Sequence, residues 1–318
     1  MEFRILIERT MKKLFLFSIL LFTVVSCTKE VEIDIPGYKD LLVIDGNIET
    51  GQPPIVLLSS TNDIYSETNL QAYLDGFISG ATITVSDGTT TVVLDELCTD
   101  NLPAGTEEIA AAIFGIPAAE LVNLHLCAYT TFNPAMFGQV GKTYDLTVTY
   151  EGKTYTSSTQ IVQPTALVET YWKPEGSLTD YGYSWAKLAD NGSQYDAYRW
   201  EVKYLGAPVF KKTFNPFFDD DFFNGLTFEF AYENPMSFDD PNLADEFKAF
   251  YKKQDTVVIK LSKMDRDAFS FMEKKYIQMY SAGNPFATPT NIPTNIKGGA
   301  LGVWAGYSPW YDTLICVE

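Results

Sequence analysis

The sequence predicts a mainly β protein: tandem β-sandwich domains of the immunoglobulin or fibronectin kind, with short helical insertions and one helix near the C-terminal end. Three features lead there: short apolar runs bounded by turn residues, two hairpin signatures, and turns at regular spacing. The runs Leu41-Leu42-Val43-Ile44 and Ile55-Val56-Leu57-Leu58 are fenced by Gly46, Gly51, Pro53 and Pro54. Residues 81–85 alternate, turn at Asp87-Gly88 and return over 90–94, and residues 144–150 turn at Glu151-Gly152 and return over 153–156. Together they predict an N-terminal sandwich over 38–163. Between the hairpins, 99–126 reads as a helical insertion: Glu107 and Glu108 occupy a first turn behind Thr106, Gly115 stops that helix, and Pro117 opens the next.

Gln163-Pro164 is the predicted boundary to a C-terminal β-rich domain over 164–318, with strands at 183–188, 198–205 and 256–261. Ser262-Lys263-Met264-Asp265 resembles a capping box and predicts a helix over about 263–280, whose Ala268, Phe271, Met272, Tyr276 and Met279 fall near one face. Gly283 is placed to end it. Residues 300–307 and 313–317 read as the last strands.

The N-terminus reads as an address. Lys12 and Lys13 precede an apolar run over 14–25, interrupted only by Ser18 and Thr23. A spanning helix needs roughly 20 apolar residues, so the run fits a signal h-region instead. It ends in Val24-Val25-Ser26-Cys27, which looks like a lipobox, with Cys27 as the lipidated residue and 1–26 as the signal peptide. Residues 1–10 are unlike an n-region, which puts the expected start at Met11. Lys29, Glu30, Glu32 and Asp34, in a tether over 27–37, read either as an export signal or as a solvated linker.

Removing that leader from the 318 residues leaves enough chain for two domains with their own cores. Hydrophobic residues make up 46% of the chain, which is the composition of a folded protein and not of a disordered one. A net charge of −18 and a pI near 4.4 argue against nucleic acid as a partner and against an electrostatic grip on anionic lipid.

Several segments together resemble a Bacteroidota outer-membrane lipoprotein family, the domain of unknown function DUF4249. They are Val43-Ile44-Asp45-Gly46, Val56-Leu57-Leu58-Ser59, 80–85 and 141–146, then Gly283-Asn284-Pro285-Phe286-Ala287, Thr294-Asn295-Ile296 and 298–307 with Gly302 and Trp304. The resemblance covers almost all of the expected mature chain. It implies an outer-membrane lipoprotein, similar in setting to accessory partners of TonB-dependent receptors, and it brings no catalytic residues with it. The long insertion between Cys98 and Cys127 departs from the shorter hairpins of the family.

Four constellations remain. Cys98 and Cys127 bracket the helical insertion and are expected to form a disulfide in an oxidising compartment, the alternative being buried thiols. Closing a loop of about 30 residues contributes on the order of 3 kcal/mol. Cys316 reads as a core thiol. His125, the chain's one histidine, reads as structural, because no four-ligand zinc spacing and no nucleophile elbow accompany it. The segment 215–246 holds nine acids and eight aromatics without a Lys or Arg. Phe217, Phe218, Asp219, Asp220, Asp221, Phe222 and Phe223 form its candidate partner-binding surface. The competing readings are a calcium loop, which lacks the usual alternating ligand order, and aromatics filling a core beneath solvated acids.

No catalytic residue, metal or cofactor is expected. The sequence therefore predicts a lipid-anchored outer-membrane binding or accessory protein, a partner of a TonB-dependent receptor in nutrient uptake. A surface enzyme acting on glycans and a structural or adhesive surface protein are the alternatives.

Overall fold

Strand β1 (Leu42–Glu49) buries every second side chain, the period of a strand with one face against a core. The computed structural model to which it belongs describes residues 40–61, 74, 76–102, 104–121, 124–281 and 291–317. Strands follow in the order β2 (Ile55–Ser60), β3 (Thr82–Ser86), β4 (Thr91–Val93), β5 (Asp95–Cys98), β6 (Cys127–Thr130), β7 (Thr143–Tyr150) and β8 (Lys153–Gln160). Next come β9 (Leu167–Glu175), β10 (Leu178–Ala189), β11 (Ala197–Tyr204), β12 (Lys211–Asp219), β13 (Thr227–Tyr232), β14 (Tyr251–Lys252), β15 (Thr256–Met264) and β16 (Leu301–Ile315). Helices α1 (Glu107–Phe114) and α2 (Ala118–Leu121) lie in the insertion, and α3 (Arg266–Ser281) precedes β16. None of the described helices is long and apolar enough to cross a membrane.

The protein is mainly β, as predicted, and its strands form an eight-stranded sheet in the order β12-β11-β15-β16-β1-β2-β6-β5 and two four-stranded sheets. One small sheet, β4-β3-β7-β8, packs Ile83, Val85, Leu146 and Val148 against Ile44, Ile48, Val56, Leu58 and Trp304 of the large sheet. The other, built of β9, β10, β13 and β14, packs Trp172, Ala186, Leu188 and Tyr251 against Tyr198, Trp200, Val257 and Ile259. Two sandwiches are present, then, but they share one sheet. Gln163-Pro164 separates neither two sheets nor two cores along the chain, because β1 pairs in parallel with β16 and Ile296, Ala300 and Trp304 return to the first core.

Alternation along β16 sends side chains to opposite faces of the shared sheet. Trp304 enters the first sandwich core, while Val303, Ala305 and Tyr307 pack with Ala268, Phe269 and Phe271 of α3. A second helical cover lies over β2 and β6, where Ala110, Phe114 and Leu121 meet Leu57, Leu126 and Ala128. The large sheet is thus buried on both sides along much of its width.

The parallel pair β1–β16 explains residues that look unrelated in the sequence. Ile44 faces Gly302 and Gly46 faces Trp304 in register. A Cβ at Gly46 would lie 2.8 Å from the Trp304 ring, and one at Gly302, where φ is +114°, would lie 1.9 Å from the Ile44 carbonyl oxygen. The Asn295 amide clamps the Trp304 backbone in both directions, donating to its carbonyl at 2.8 Å and accepting from its N–H at 2.9 Å. The indole Nε1–H of Trp304 donates to the Tyr144 carbonyl at 2.8 Å.

Two predicted boundaries shift. Ser262 to Met264 do not begin a helix. They finish β15, paired on one side with β11 and on the other with β16. The cap is Asp265, whose carboxylate accepts from the Ala268 N–H at 2.8 Å. The two strands expected after 300 are one strand of 15 residues that first follows β1 in parallel and then β15 antiparallel. Gly283 lies outside the described residues.

Candidate functional site

Most of the aromatics of the segment 215–246 turn inward, although more than half of its residues are exposed. Phe217 and Phe218 are consecutive on β12 and therefore point to opposite faces. Both faces are covered, so Phe217 joins the α3 core and Phe218 packs against the second sandwich core. Phe223, 5% exposed, enters that same core and stacks on Phe228 at 4.9 Å between ring centroids. Its neighbour Phe222 is 96% exposed. Of the four phenylalanines proposed to meet a partner, only Phe222 is held fully in solvent, in the turn between β12 and β13. Phe214, Leu226 and Phe238 are further exposed apolar side chains around it in sequence.

The three aspartates divide in the same way. Asp220 is buried and accepts the Asp196 N–H at 3.0 Å. Burial, with Asp190 and Asp196 as like-charged neighbours, pushes its carboxyl above the usual carboxylate range. Asp219 accepts the Tyr195 hydroxyl at 3.0 Å, and Asp221 faces solvent. The Asp219 and Asp220 oxygens accept local hydrogen bonds, and the three carboxylates do not converge as a metal-binding group among the described residues.

The insertion 99–126 shows the opposite arrangement. Cys98 on β5 and Cys127 on β6 sit directly opposite one another and form the expected disulfide, with Cα atoms 4.0 Å apart. Gly115 closes α1 in the left-handed conformation at φ +69°, its N–H donating to the Ala111 carbonyl. His125 lies at the surface, with 65% of its side chain exposed. Nδ1 lies 3.2 Å from Asp100 Oδ2, and Nε2 lies 3.6 Å from Cys127 Sγ. Cys98, His125 and Cys127 are the one group among the described residues whose ligand atoms converge as a metal site requires. With both sulfurs joined to each other, only the imidazole is left to coordinate.

Sequence reasoning missed a buried charge network on the helix-side face of the large sheet. Arg199 Nη2 lies 2.8 Å from Glu201 Oε2 and 3.7 Å from Glu49 Oε2, and Lys260 Nζ lies 2.6 Å from Glu49. The guanidinium covers the Tyr307 ring at 4.0 Å. Burial works to raise the Glu201 carboxyl, but Arg199 and Lys260 outweigh it and hold it below its ordinary range. Charges at alternate positions of the 197–204 run were the available signal, yet alternation alone cannot distinguish a solvated face from a covered one. The network ties β1, β11 and β15 together. An open groove is lined by Thr143, Thr159, Gln160 and Asp265, and within its wall the Thr159 hydroxyl donates to Asp265 at 2.7 Å.

Cys316 is the buried thiol expected, pushed up to about 12 by burial and by Asp255. Cys27 and the acidic tether behind it lie outside the described residues. None of the curated proteins compared with the chain matches it. The segments of β1, β7 and β16 that converge on Trp304 fall within a match to a family profile over residues 28–309, and the chain belongs to that family, the domain of unknown function DUF4249.

Proposed function

We propose that this protein is a lipid-anchored accessory or binding protein of the outer membrane, tethered through Cys27 and docking onto a TonB-dependent receptor during nutrient uptake. The anchor rests on the sequence, where a short apolar run ends in Val24-Val25-Ser26-Cys27; stable anchoring takes two or more acyl chains. The binding reading is carried by Phe222. A phenylalanine with 96% of its surface in water gains nothing for the fold and keeps its full apolar area for a partner. The acids around it, with no Lys or Arg between 215 and 246, favour a basic receptor surface and exclude an acidic one.

Two measurements test this. Labelled palmitate should enter the wild type and not Cys27→Ala, and equal labelling of both would remove the anchor. The protein captured from solubilised outer membranes should bring a receptor with it, and Phe222→Ala should weaken that recovery while the melting temperature stays put. Undiminished recovery with Phe222→Ala would remove the docking surface.

A further inference from the structure

The chain's only histidine stands beside the only disulfide of the described residues, and each of its nitrogens has a partner. A histidine kept for packing would be covered; this one is 65% exposed. With Nδ1–H donating to Asp100 Oδ2, the neutral ring directs the Nε2 lone pair at Cys127 Sγ, and the protonated ring directs an N–H there. The two sulfurs also differ in access. Cys127 is 4% exposed at the floor of the insertion, whereas Cys98 is half-buried at the end of β5.

We propose that Cys98–Cys127 is an exchange site for small-molecule thiols, with His125 as the acid–base group on the leaving sulfur and Asp100 as its positioning residue. A thiolate attacks the accessible Cys98 Sγ, forming a new S–S bond there as the Cys98–Cys127 bond breaks. The electron pair departs on Cys127 Sγ, which takes a proton from His125 Nε2, and the ring stays hydrogen-bonded to Asp100. A second thiolate attacks the small-molecule sulfur of the mixed disulfide, and the electron pair of the broken bond leaves on Cys98 Sγ, which takes a proton from solvent. The outcome is one small-molecule disulfide and two protein thiols, so two thiol sulfurs are oxidised and the Cys98 and Cys127 sulfurs are reduced. In reverse, neutral Nε2 removes the Cys127 proton and returns the nucleophilic thiolate to the mixed disulfide. Exchange rates depend on which sulfur is reached and on how well the departing thiolate is stabilised, and this cluster governs both. Opening the bond unfastens the base of the insertion that carries α1 and α2.

Among the described residues, the groups facing the His125 ring are Asp100, from the turn after β5, and the Cys98–Cys127 pair across β5 and β6. The test uses the intact protein with glutathione as the thiol at one fixed pH, alkylating the opened cysteines and reading them by mass. Rates are divided by the glutathione thiolate concentration. His125→Gln should open the bond about a hundredfold more slowly than the wild type, the low end of what a positioned acid contributes, with an unchanged melting temperature, and added imidazole should restore part of the rate. Asp100→Asn should fall between the two, and Asp100→Glu should recover the wild-type rate. Equal rates for the wild type and His125→Gln would overturn the proposal. So would a disulfide that glutathione opens only after the protein is denatured.

Discussion

The 215–246 segment and the 99–126 insertion both stand out in the sequence, and the fold treats them in opposite ways. The first brings eight aromatics and buries its central ones, Phe217 and Phe223, between layers. The second is ordinary in composition, yet it sets an imidazole, a carboxylate and a disulfide together at the surface. Unusual composition signals that a segment has a demanding environment. It does not say whether that environment is a core or a partner. Small clusters of chemically different groups are the better guide to chemistry, and they form by strand register, here Cys98 opposite Cys127.

The largest expected effect sharpens the inward half of this contrast. Phe223→Ala should cost about 3–5 kcal/mol in urea unfolding, the usual loss for an aromatic removed from a core. A loss under 1 kcal/mol would mean that the ring is not packed as the Phe218 and Phe228 contacts require. Next comes the insertion. Replacing both Cys98 and Cys127 by alanine should lower stability by about 3 kcal/mol through the freed loop, and a hydrogen-exchange map should show α1 and α2 losing protection while β7 and β8 keep theirs. Equal losses everywhere would show that the staple supports the entire fold and not the insertion alone.

Smaller effects come from two carboxylates shifted in opposite directions. Lys142 bonds the Asp87 carboxylate at 2.6 Å, the N–H groups of Thr90 and Thr89 add to this, and the group is lowered to about 2. Its contribution is present above the ordinary carboxylate value near 4 and is lost as pH falls towards 2. The stability gap between wild type and Asp87→Asn should therefore close over that acid interval. Asp220 is raised, so its folded form binds a proton more readily than the unfolded chain, and the wild type loses stability as pH climbs from about 4. Asp220→Asn, which can still accept the Asp196 N–H, should gain on the wild type over the same rise. Parallel pH curves would show that the Lys142 and Thr90 bonds do not hold the Asp87 charge, or that burial does not disfavour the Asp220 charge. The smallest effect is Phe222→Ala, expected within about 0.5 kcal/mol of wild type. A drop like that of Phe223→Ala would return Phe222 to the core and leave the segment with no outward anchor.

What could be read from the sequence followed local periodicity. The alternation of 81–85, the Asp87-Gly88 turn, the Gly115 stop and the Cys98–Cys127 pairing all appear in the fold. The strand β12 was missed because consecutive Phe217 and Phe218 break the one-sided alternation of an exposed sheet. That break is itself the mark of a strand covered on both faces. The pairing of β1 with β16 leaves no local trace, since Gly46 and Trp304 make sense only once they face each other. For the same reason the charges at Glu49, Arg199 and Lys260 could not be matched before the register was known. His125 was legible as a lone residue but not as a member of a cluster, because Asp100 reaches it across the whole insertion.

The parallel pairing of the first and last long strands also constrains the order in which the chain can assemble. Thr50 and Tyr307, hydrogen-bonded through their backbones at 3.0 Å, are 257 residues apart. Bringing such distant strands together costs loop-closure entropy before any contact repays it, and pairings of this kind form slowly. A chain emerging N-terminus first can complete the β3–β4 and β7–β8 hairpins early, but one long edge of β1 waits for residues 301–307. Until then the nascent protein presents an open apolar strand, the kind of surface that invites pairing with other chains. A protein wired in this way depends on being kept extended or guarded until its final strand arrives.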